Sequence, residues 1–192
     1  IEQTGEIFGG DELMRSFGLN NALMMAFAFA ASYHQTVLMH ASTVMVTATQ
    51  TAYPFTASSG TGKSTHVSLW LKHIAGCELL NDDNPVVRQL SDGIYVFGSP
   101  WSGKTPCYRN VRYPVGAIVQ LSQAPYNAIR RLRPLEAYAA LVPSISGKRW
   151  DKVVAEGLHE TENLLAGHVA VWHLECLPDE AAAMTCKNAV AV

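Results

Sequence analysis

Hydrophobic positions along the chain change from helical to strand-like spacing at about residue 35. Apolar residues between 11 and 33 form one broad face, which predicts a helix, although Gly18 weakens its middle enough to allow two pieces. The uncharged stretch at 21–32 is too short to cross a bilayer, which takes about 20 residues. Acidic residues precede it, which argues against a signal peptide. The prediction is therefore a buried helix.

Strands and helices alternate along the rest of the chain. Residues 36–47 are rich in β-branched side chains and predict a strand with an early bend, and residues 91–93 (SDG) predict a hairpin turn. This order predicts an α/β fold in which helices flank one mixed β-sheet. Strands are predicted at 36–47, 52–56, 78–80, 85–90, 94–97, 116–121 and 170–176, and helices at 63–74, 134–141, 151–166 and 178–190.

Composition excludes several classes of function. The 192 residues are 48% hydrophobic and 16% charged, so the chain can bury a core and is not a disordered tail. The net charge is −2, without the basic surface of a nucleic-acid-binding protein or the Lys/Arg block of a membrane-binding one. Neither nucleic acid nor a membrane is therefore expected as a partner. The four cysteines lack C-x-x-C spacing and are expected to be reduced thiols in a cytoplasmic protein.

The strongest chemical signal is the segment 57–65, ASSGTGKST. It fits the second half of the phosphate-binding pattern G-x-x-x-x-G-K-[ST], with a predicted strand before it and a helix after it. The glycines let several backbone N–H groups point at one anion, and the helix N-terminus adds partial positive charge. The lysine would contact the β/γ-phosphates, and the serine after it would bind Mg²⁺. The predicted nucleotide-binding residues are Ser58, Ser59, Gly60, Thr61, Gly62, Lys63, Ser64 and Thr65.

The segment departs from the pattern at its first position, where Ala57 replaces glycine. If that position requires a positive φ, alanine costs on the order of 1 kcal/mol. If φ is negative, the replacement costs nothing. The sequence leaves both alternatives open.

Two adjacent carboxylates, Asp82 and Asp83, follow a short apolar run about twenty residues after the loop. One carboxylate beside a phosphate loop can hold Mg²⁺, and a second can accept the proton of an attacking hydroxyl. Because adjacent carboxylates repel each other unless a cation lies between them, the pair favours a metal-binding site. The sequence N-D-D-N-P is also typical of a turn, which is the alternative.

Histidine and loop residues supply further candidates. His40 lies within an apolar strand, where it is either a buried core residue or a partner of a catalytic carboxylate. The 98–106 loop (GSPWSGKTP) follows a predicted strand, and its Trp101 and Lys104 are candidate contacts for phosphate or acceptor. Arg109 and Arg112 are candidate transition-state cations, and the alternative for the whole segment is a structural turn with surface cations. Arg130, Arg131 and Arg133 are expected to form a solvated face, with acceptor binding as the alternative.

The order of these motifs resembles that in a known family. His40-Ala41-Ser42, a β-hairpin, S-S-G-T-G-K-S-T and N-D-D follow one another as in the catalytic core of HPr kinase/phosphorylase, and the loop with its Asp pair is similar to that of PEP carboxykinases. The match covers residues 39 to 83, and the rest agrees only in element order. The family's downstream Glu-Arg signature has no clear counterpart, so HPr itself is not the expected acceptor.

The resemblance implies a small single-domain kinase of the HPr kinase/PEP carboxykinase-like superfamily. Lys63 and the loop amides would bind ATP or GTP, Ser64 and Asp83 would bind Mg²⁺, and Asp82, supported by His40, would be the general base. The acceptor would be a hydroxyl of a protein, peptide or metabolite. The alternatives are a non-catalytic nucleotide-binding module and a partner-stimulated NTPase. The expected segments are 1–35 (helical), 36–125 (nucleotide-binding core) and 126–192 (C-terminal α/β part). The sequence leaves the oligomeric state open, with a homo-oligomer as one alternative.

Overall fold

The computed structural model describes Glu6 and residues 9–191. Within these residues there are five α-helices and eleven strands, joined by two short 3-10 turns. The helices are α1 (Glu12–Ala31), α2 (Lys63–His73), α3 (Pro134–Leu141), α4 (Lys152–His168) and α5 (Glu180–Val190). The strands are β1 (Thr36–Met39), β2 (Ala41–Val46), β3 (Thr51–Thr56), β4 (Cys77–Asn81), β5 (Val86–Leu90), β6 (Gly93–Phe97), β7 (Arg112–Pro114), β8 (Ile118–Gln123), β9 (Ala128–Arg131), β10 (Ile145–Ser146) and β11 (Val171–Cys176).

The strands form two sheets, where the sequence had predicted one. An antiparallel five-stranded sheet has the order β10-β1-β5-β6-β7. A six-stranded sheet has the order β4-β2-β3-β8-β11-β9, in which β3, β8 and β11 run parallel and the other pairings are antiparallel. The predicted α/β class, with helices flanking sheets and one sheet mixed, is confirmed.

The division into two sheets begins at His40. The predicted strand 36–47 breaks there, so that β1 joins the first sheet and β2 joins the second. Backbone bonds fix the break: His40 N–H donates to the carbonyl of Ser144 (2.6 Å), and Ala41 N–H donates to that of Asp83 (2.9 Å). The early bend expected from the sequence is therefore a passage from one sheet to the other.

Three strands were missed by the sequence patterns, and each is short and lies at the edge of a sheet. β7 and β10 flank the five-stranded sheet, and β9 flanks the six-stranded one. The sequence of β9 is Ala-Ile-Arg-Arg, and its Arg130 and Arg131 are exposed. Edge strands commonly carry charge on their open side, and charged residues interrupt the apolar–polar alternation that is typical of a half-buried strand. The solvated arginine face predicted here is confirmed.

Both faces of the six-stranded sheet are buried. One face packs with the five-stranded sheet, α3 and α4 around Ile118, Leu141 and Leu158. The other face packs with α2 and α5 around Phe55 and Trp70. Neighbouring residues of β8 alternate between the two clusters, as the pleat of a strand requires. This sandwich holds the carboxyl ends of β3, β8 and β11 in fixed register at one edge.

Helix α1 is exposed along most of its length, and the prediction of a buried helix is wrong for this chain. It runs unbroken through Gly18, and the Asp11 side chain caps it by accepting from Met14 N–H (2.9 Å). Its buried residues are Ala28 and Ala31, whereas Leu13, Phe17 and Leu23 are more than half exposed. An apolar composition indicates that a helix favours burial, but it does not show whether another part of the chain covers the helix. No helix of the described residues is long and apolar enough to span a membrane.

Candidate active site

The segment after β3 is a glycine-containing loop that leads directly into α2. We refer to residues 57–62 as the glycine loop. Gly60 (φ 79°) and Gly62 (φ 115°) occupy the left-handed region that favours glycine, and Gly62 is the N-cap of α2. Ala57 is not among the non-glycine residues at positive φ, which in the described chain are Gln35 and Gln50. Alanine at the first position of the loop therefore carries no backbone penalty.

Lys63, the first residue of α2, folds back over the glycine loop. Its Nζ donates to the carbonyl oxygen of Ala57 (3.1 Å) at the beginning of that loop. Partial burial lowers the pKa of Lys63, while the charges of Asp83 and Asp82 act in the opposite direction. The ammonium group is therefore held at the mouth of the loop with two carboxylates close enough to influence it.

Asp82 is buried and immobilised by three donors. Its Oδ1 accepts from the hydroxyls of Ser42 (3.0 Å) and Ser64 (3.2 Å), and its Oδ2 accepts from Thr105 N–H (3.1 Å). Its exposed fraction is 6%. The Ser64 bond joins the carboxylate to the residue that follows Lys63 in the loop motif.

Asp83 has a more open environment than Asp82. Its side chain is 36% exposed, its Oδ2 accepts from Asn84 Nδ2 (2.7 Å), and its Oδ1 lies 3.5 Å from His40 Nε2. The pKa of His40 is lowered, first by burial and then by the charge of Lys63, while Asp83 raises it. A neutral imidazole therefore contacts a carboxylate that faces solvent.

Asn81 fixes the turn that presents both carboxylates. Its Oδ1 accepts from the backbone N–H groups of Asp83 and Asn84 (both 2.9 Å), which closes an Asx-type turn. Its Nδ2 donates to the Ser99 hydroxyl (3.2 Å) and the Trp101 carbonyl (3.1 Å). N-D-D-N-P is thus a turn and also presents a carboxylate pair to the glycine loop. The two sequence alternatives are compatible.

The 98–106 loop closes the other side of the Asp pair. A Cβ added at Gly103 would lie 2.8 Å from the Asp82 carbonyl oxygen and 3.2 Å from the Asp83 Cβ, so only glycine permits this approach. The loop completes a cavity of about 590 Å³, which we call the Lys63 cavity. Its lining includes His40, Ser42, Lys63, Ser64, Asp82, Asp83, Gly103 and Lys104.

Three other sequence candidates have different surroundings. Trp101 packs against Phe27 of α1, with ring centroids 5.3 Å apart. Arg109 pairs with Glu78 (2.7 Å), and Arg112 lies over the Tyr95 ring at 4.8 Å. None of the three is among the described residues that line the Lys63 cavity. Lys104, the fourth of these candidates, does line the Lys63 cavity.

Sequence patterns did not identify Ser42, Asn81, Gly103 or Thr105 as site residues. Small polar residues and glycine are common in turns and strands, and their hydrogen-bond partners are set by the tertiary fold. A signal did exist for Ser42, because it stands two residues after His40 on the strand that faces the Asp pair.

The donors in the Lys63 cavity suit a magnesium ion bound together with phosphate. Within the described residues, no group of three His, Cys, Asp or Glu side chains is arranged to hold a metal ion. Mg²⁺ is commonly held by one or two carboxylates, waters and the phosphates of its nucleotide, so it needs no such cage. Asp82 and Ser64, joined at 3.2 Å, fit that requirement.

The sequence matches no protein-family model and no curated protein.

Proposed function

We propose that the protein is a Mg²⁺-dependent kinase that transfers the γ-phosphoryl group of a nucleoside triphosphate to a hydroxyl group. The observation that carries the proposal is the hydrogen bond between Ser64 and Asp82, which joins the first turn of α2, directly after the glycine loop, to the carboxylate pair. A phosphate loop alone supports nucleotide binding. A loop that shares a cavity with Lys63, two carboxylates and a histidine also supports transfer.

Ser64 and Asp82 are the residues proposed to hold Mg²⁺. In P-loop nucleotide sites the metal is held by the loop Ser/Thr and an acidic residue at the end of a neighbouring strand. β4 ends at Asn81, directly before Asp82. When bound, Mg²⁺ would neutralise the charge that develops on the phosphates. Lys63 would bind the β/γ-phosphates, and the N–H groups of the glycine loop would orient them.

Asp83 is the proposed general base, supported by His40. Its carboxylate is open to solvent on one side, as acceptance of a proton from an incoming hydroxyl requires. Asp82 is less suited to that role because three donors already occupy its oxygens. These hydrogen bonds favour the reverse of the assignment inferred from the resemblance, in which Asp82 was the base and Asp83 bound the metal.

The non-catalytic alternative loses its best sequence argument, which was the missing first glycine of the loop. Ala57 has no positive φ, so that replacement does not imply a damaged site. Four further points stay predictions: the identity of the nucleotide, a partner-stimulated NTPase activity, a cytoplasmic location and a homo-oligomeric state.

The deciding experiment separates binding from transfer. Wild type, Lys63→Ala and Asp83→Asn are incubated with γ-labelled ATP, Mg²⁺ and an extract of the source cells, and nucleotide affinity is measured by calorimetry. We expect labelled product with wild type only. Asp83→Asn should keep its affinity for MgATP within about threefold while losing at least 100-fold in rate, because a base acts on the chemical step. Full transfer by Asp83→Asn would refute the assignment of the base.

A further inference from the structure

The largest cavity near the glycine loop lies beside the Lys63 cavity. Its volume is about 800 Å³, and we call it the Ser122 cavity. It lies where β3, β8 and β11 end and is bounded by the end of α3 and the turn after it. Gln120, Ser122 and Gln123 line it from β8, His173 lines it from β11, and Ser144 lines it from the turn.

The wall of this cavity is polar but carries no permanent charge. Among the described residues that line it there is no Lys, Arg, Asp or Glu, and its titratable side chains are His40 and His173. His173 Nε2 and Ser122 Oγ are hydrogen-bonded at 2.9 Å. Hydroxyl and amide groups can hydrogen-bond a neutral polar ligand, whereas a carboxylate or phosphate on the second substrate would meet no charged side chain in this wall.

A more apolar cavity adjoins the Ser122 cavity and shares Gly60, Thr61 and Ser122 with it. That third cavity, of about 540 Å³, contacts Gly62 and Thr65 and is lined by Leu69, Leu177 and Pro178. In a phosphate loop the lysine reaches the β/γ-phosphates, so the nucleoside lies in another cavity, and apolar side chains such as Leu69 and Leu177 suit the flat face of a nucleobase. The apolar cavity is therefore suited to the nucleoside, and the Ser122 cavity is left for the second substrate.

His40 connects the Ser122 cavity to the site of transfer. It lines both this cavity and the Lys63 cavity, together with Ser59 and Gly60. Its Nε2 lies 3.5 Å from Asp83, the proposed base. A hydroxyl that extends from the Ser122 cavity past His40 would meet the γ-phosphate and the Asp83 carboxylate at the same place.

We propose that the Ser122 cavity is the acceptor subsite and that it takes an uncharged, hydroxyl-bearing group, either a neutral peptide segment or a polyol. This inference rests on the proposed kinase function. In the reaction, the acceptor oxygen forms a bond to the γ-phosphorus while the bond from that phosphorus to the β-phosphate oxygen breaks. The hydroxyl proton passes to Asp83, and the nucleoside diphosphate leaves with the electron pair of the broken bond.

Defined acceptors test the inference. Three hexapeptides each contain one serine, with the remaining positions neutral (Gly, Asn, Gln), acidic (Glu) or basic (Lys), and glycerol represents the polyols. Each is incubated with the protein, Mg²⁺ and γ-labelled ATP. We expect the neutral peptide or glycerol to be labelled at least tenfold faster than either charged peptide. The faster of the two identifies the source of the hydroxyl.

A charged variant of the wall supplies the second readout. Gln120→Glu adds a carboxylate of nearly the same shape and should raise the basic-to-neutral labelling ratio about tenfold, with unchanged affinity for MgATP. Gln50→Glu makes the same change on a distant exposed turn and should leave the ratio unaltered.

Three outcomes would overturn the assignment. Wild type could bind MgATP and label no neutral probe faster than the charged ones. Gln120→Glu could bind MgATP and leave the ratio at its wild-type value. Wild type could fail to bind MgATP, in which case the kinase proposal fails first and the acceptor subsite fails with it.

Discussion

The hydroxyl of Ser64 lies 3.2 Å from the Asp82 carboxylate, so the first turn of α2 and the end of β4 meet at one hydrogen bond. Two segments separated by eighteen residues thereby supply the donors proposed for one Mg²⁺ ion. The other bonds to Asp82, from Ser42 and Thr105, prevent its carboxylate from turning away. The first prediction follows from this contact.

Replacing Ser64 by alanine should weaken nucleotide binding only when magnesium is present. The hydroxyl is proposed as a metal ligand and it also orients Asp82, so the affinity for MgATP should fall about 10- to 100-fold. The affinity for ATP in excess EDTA should change less than threefold. Calorimetric titration under both conditions checks this. Ser68→Ala removes a hydroxyl one turn farther along α2 and is the matched control. An equal loss with and without magnesium would refute a metal role.

A methyl group at Gly103 should displace the 98–106 loop from the Asp pair. The added Cβ would lie 2.8 Å from the Asp82 carbonyl, which is closer than real Cβ contacts allow. Misplacement by about 1 Å can cost on the order of 100-fold in rate, so transfer of labelled phosphate should fall about 10- to 100-fold with the fold retained. Circular dichroism and the transfer assay report the two quantities.

Gly167→Ala is the control for that substitution. No heavy atom lies within 4 Å of the added methyl group, and the residue is in α4. Alanine is favoured over glycine in a helix by up to about 1 kcal/mol, so this variant should be as stable as wild type or more stable, and fully active. A Gly103→Ala protein with wild-type transfer would show that the loop does not set the position of the pair.

Acid should destabilise the protein through His66. Its Nε2 accepts a hydrogen bond from Trp70 Nε1 (3.1 Å), it is 3% exposed, and burial lowers its pKa to about 4. The unfolded chain has a histidine pKa of about 6.5, so it binds more protons than the folded protein between pH 6.5 and 4. The stabilisation is therefore complete above pH 6.5 and decreases as the pH falls towards 4.

The expected size of this effect is about 3 kcal/mol, from about 1.4 kcal/mol per unit of pKa difference. Urea denaturation between pH 7 and pH 4 measures it. His66→Leu replaces the titrating group by an apolar side chain. Between pH 7 and pH 4 the free energy of unfolding of this variant should therefore fall by about 3 kcal/mol less than that of wild type. Parallel curves for the two proteins would contradict the prediction.

Breaking the Arg149–Glu162 pair should cost far more than breaking a surface pair. The Glu162 side chain is fully buried, and its Oε1 accepts from the Arg149 guanidinium at 2.6 Å. Arg149→Met would leave a buried carboxylate without its countercharge, at a cost of about 3–5 kcal/mol. The free energy of unfolding in urea is the measurement.

A surface variant and a double variant complete that test. Lys152→Met breaks an exposed pair with Glu156 (3.9 Å) and should cost less than 1 kcal/mol. Arg149→Met combined with Glu162→Gln should recover part of the loss, since the stranded charge is gone. Equal losses for Arg149→Met and Lys152→Met would show that burial of Glu162 does not set the cost.

The sequence predicts elements well where local patterns decide them. The hairpin at 91–93 and the loop followed by α2 are visible in residue type and spacing, whereas the segment 36–47 was expected to bend early but not to break into two strands. These features depend on turn chemistry and on the conformational freedom of glycine, both of which act within a few residues.

Features that depend on distant partners could not be predicted in this way. β9 is strand only because it pairs with β11 more than forty residues later. The apolar residues of α1 predicted burial, but burial also requires a covering surface, and most of the helix has none in this chain. The sequence does not distinguish Asn81 from any other asparagine in a turn, because its amide partners, Ser99 and Trp101, are brought to it by the tertiary fold.

The break at His40 makes the geometry of the site sensitive to the packing between the two sheets. Its imidazole stands between β1 and β2, which belong to different sheets, while Lys63 follows a strand of only one of them. The distance between His40 and Lys63 therefore depends on how the two sheets are stacked. Substitutions in the packed layer between them, at Leu80 or Val87 for example, would change that distance without replacing either side chain.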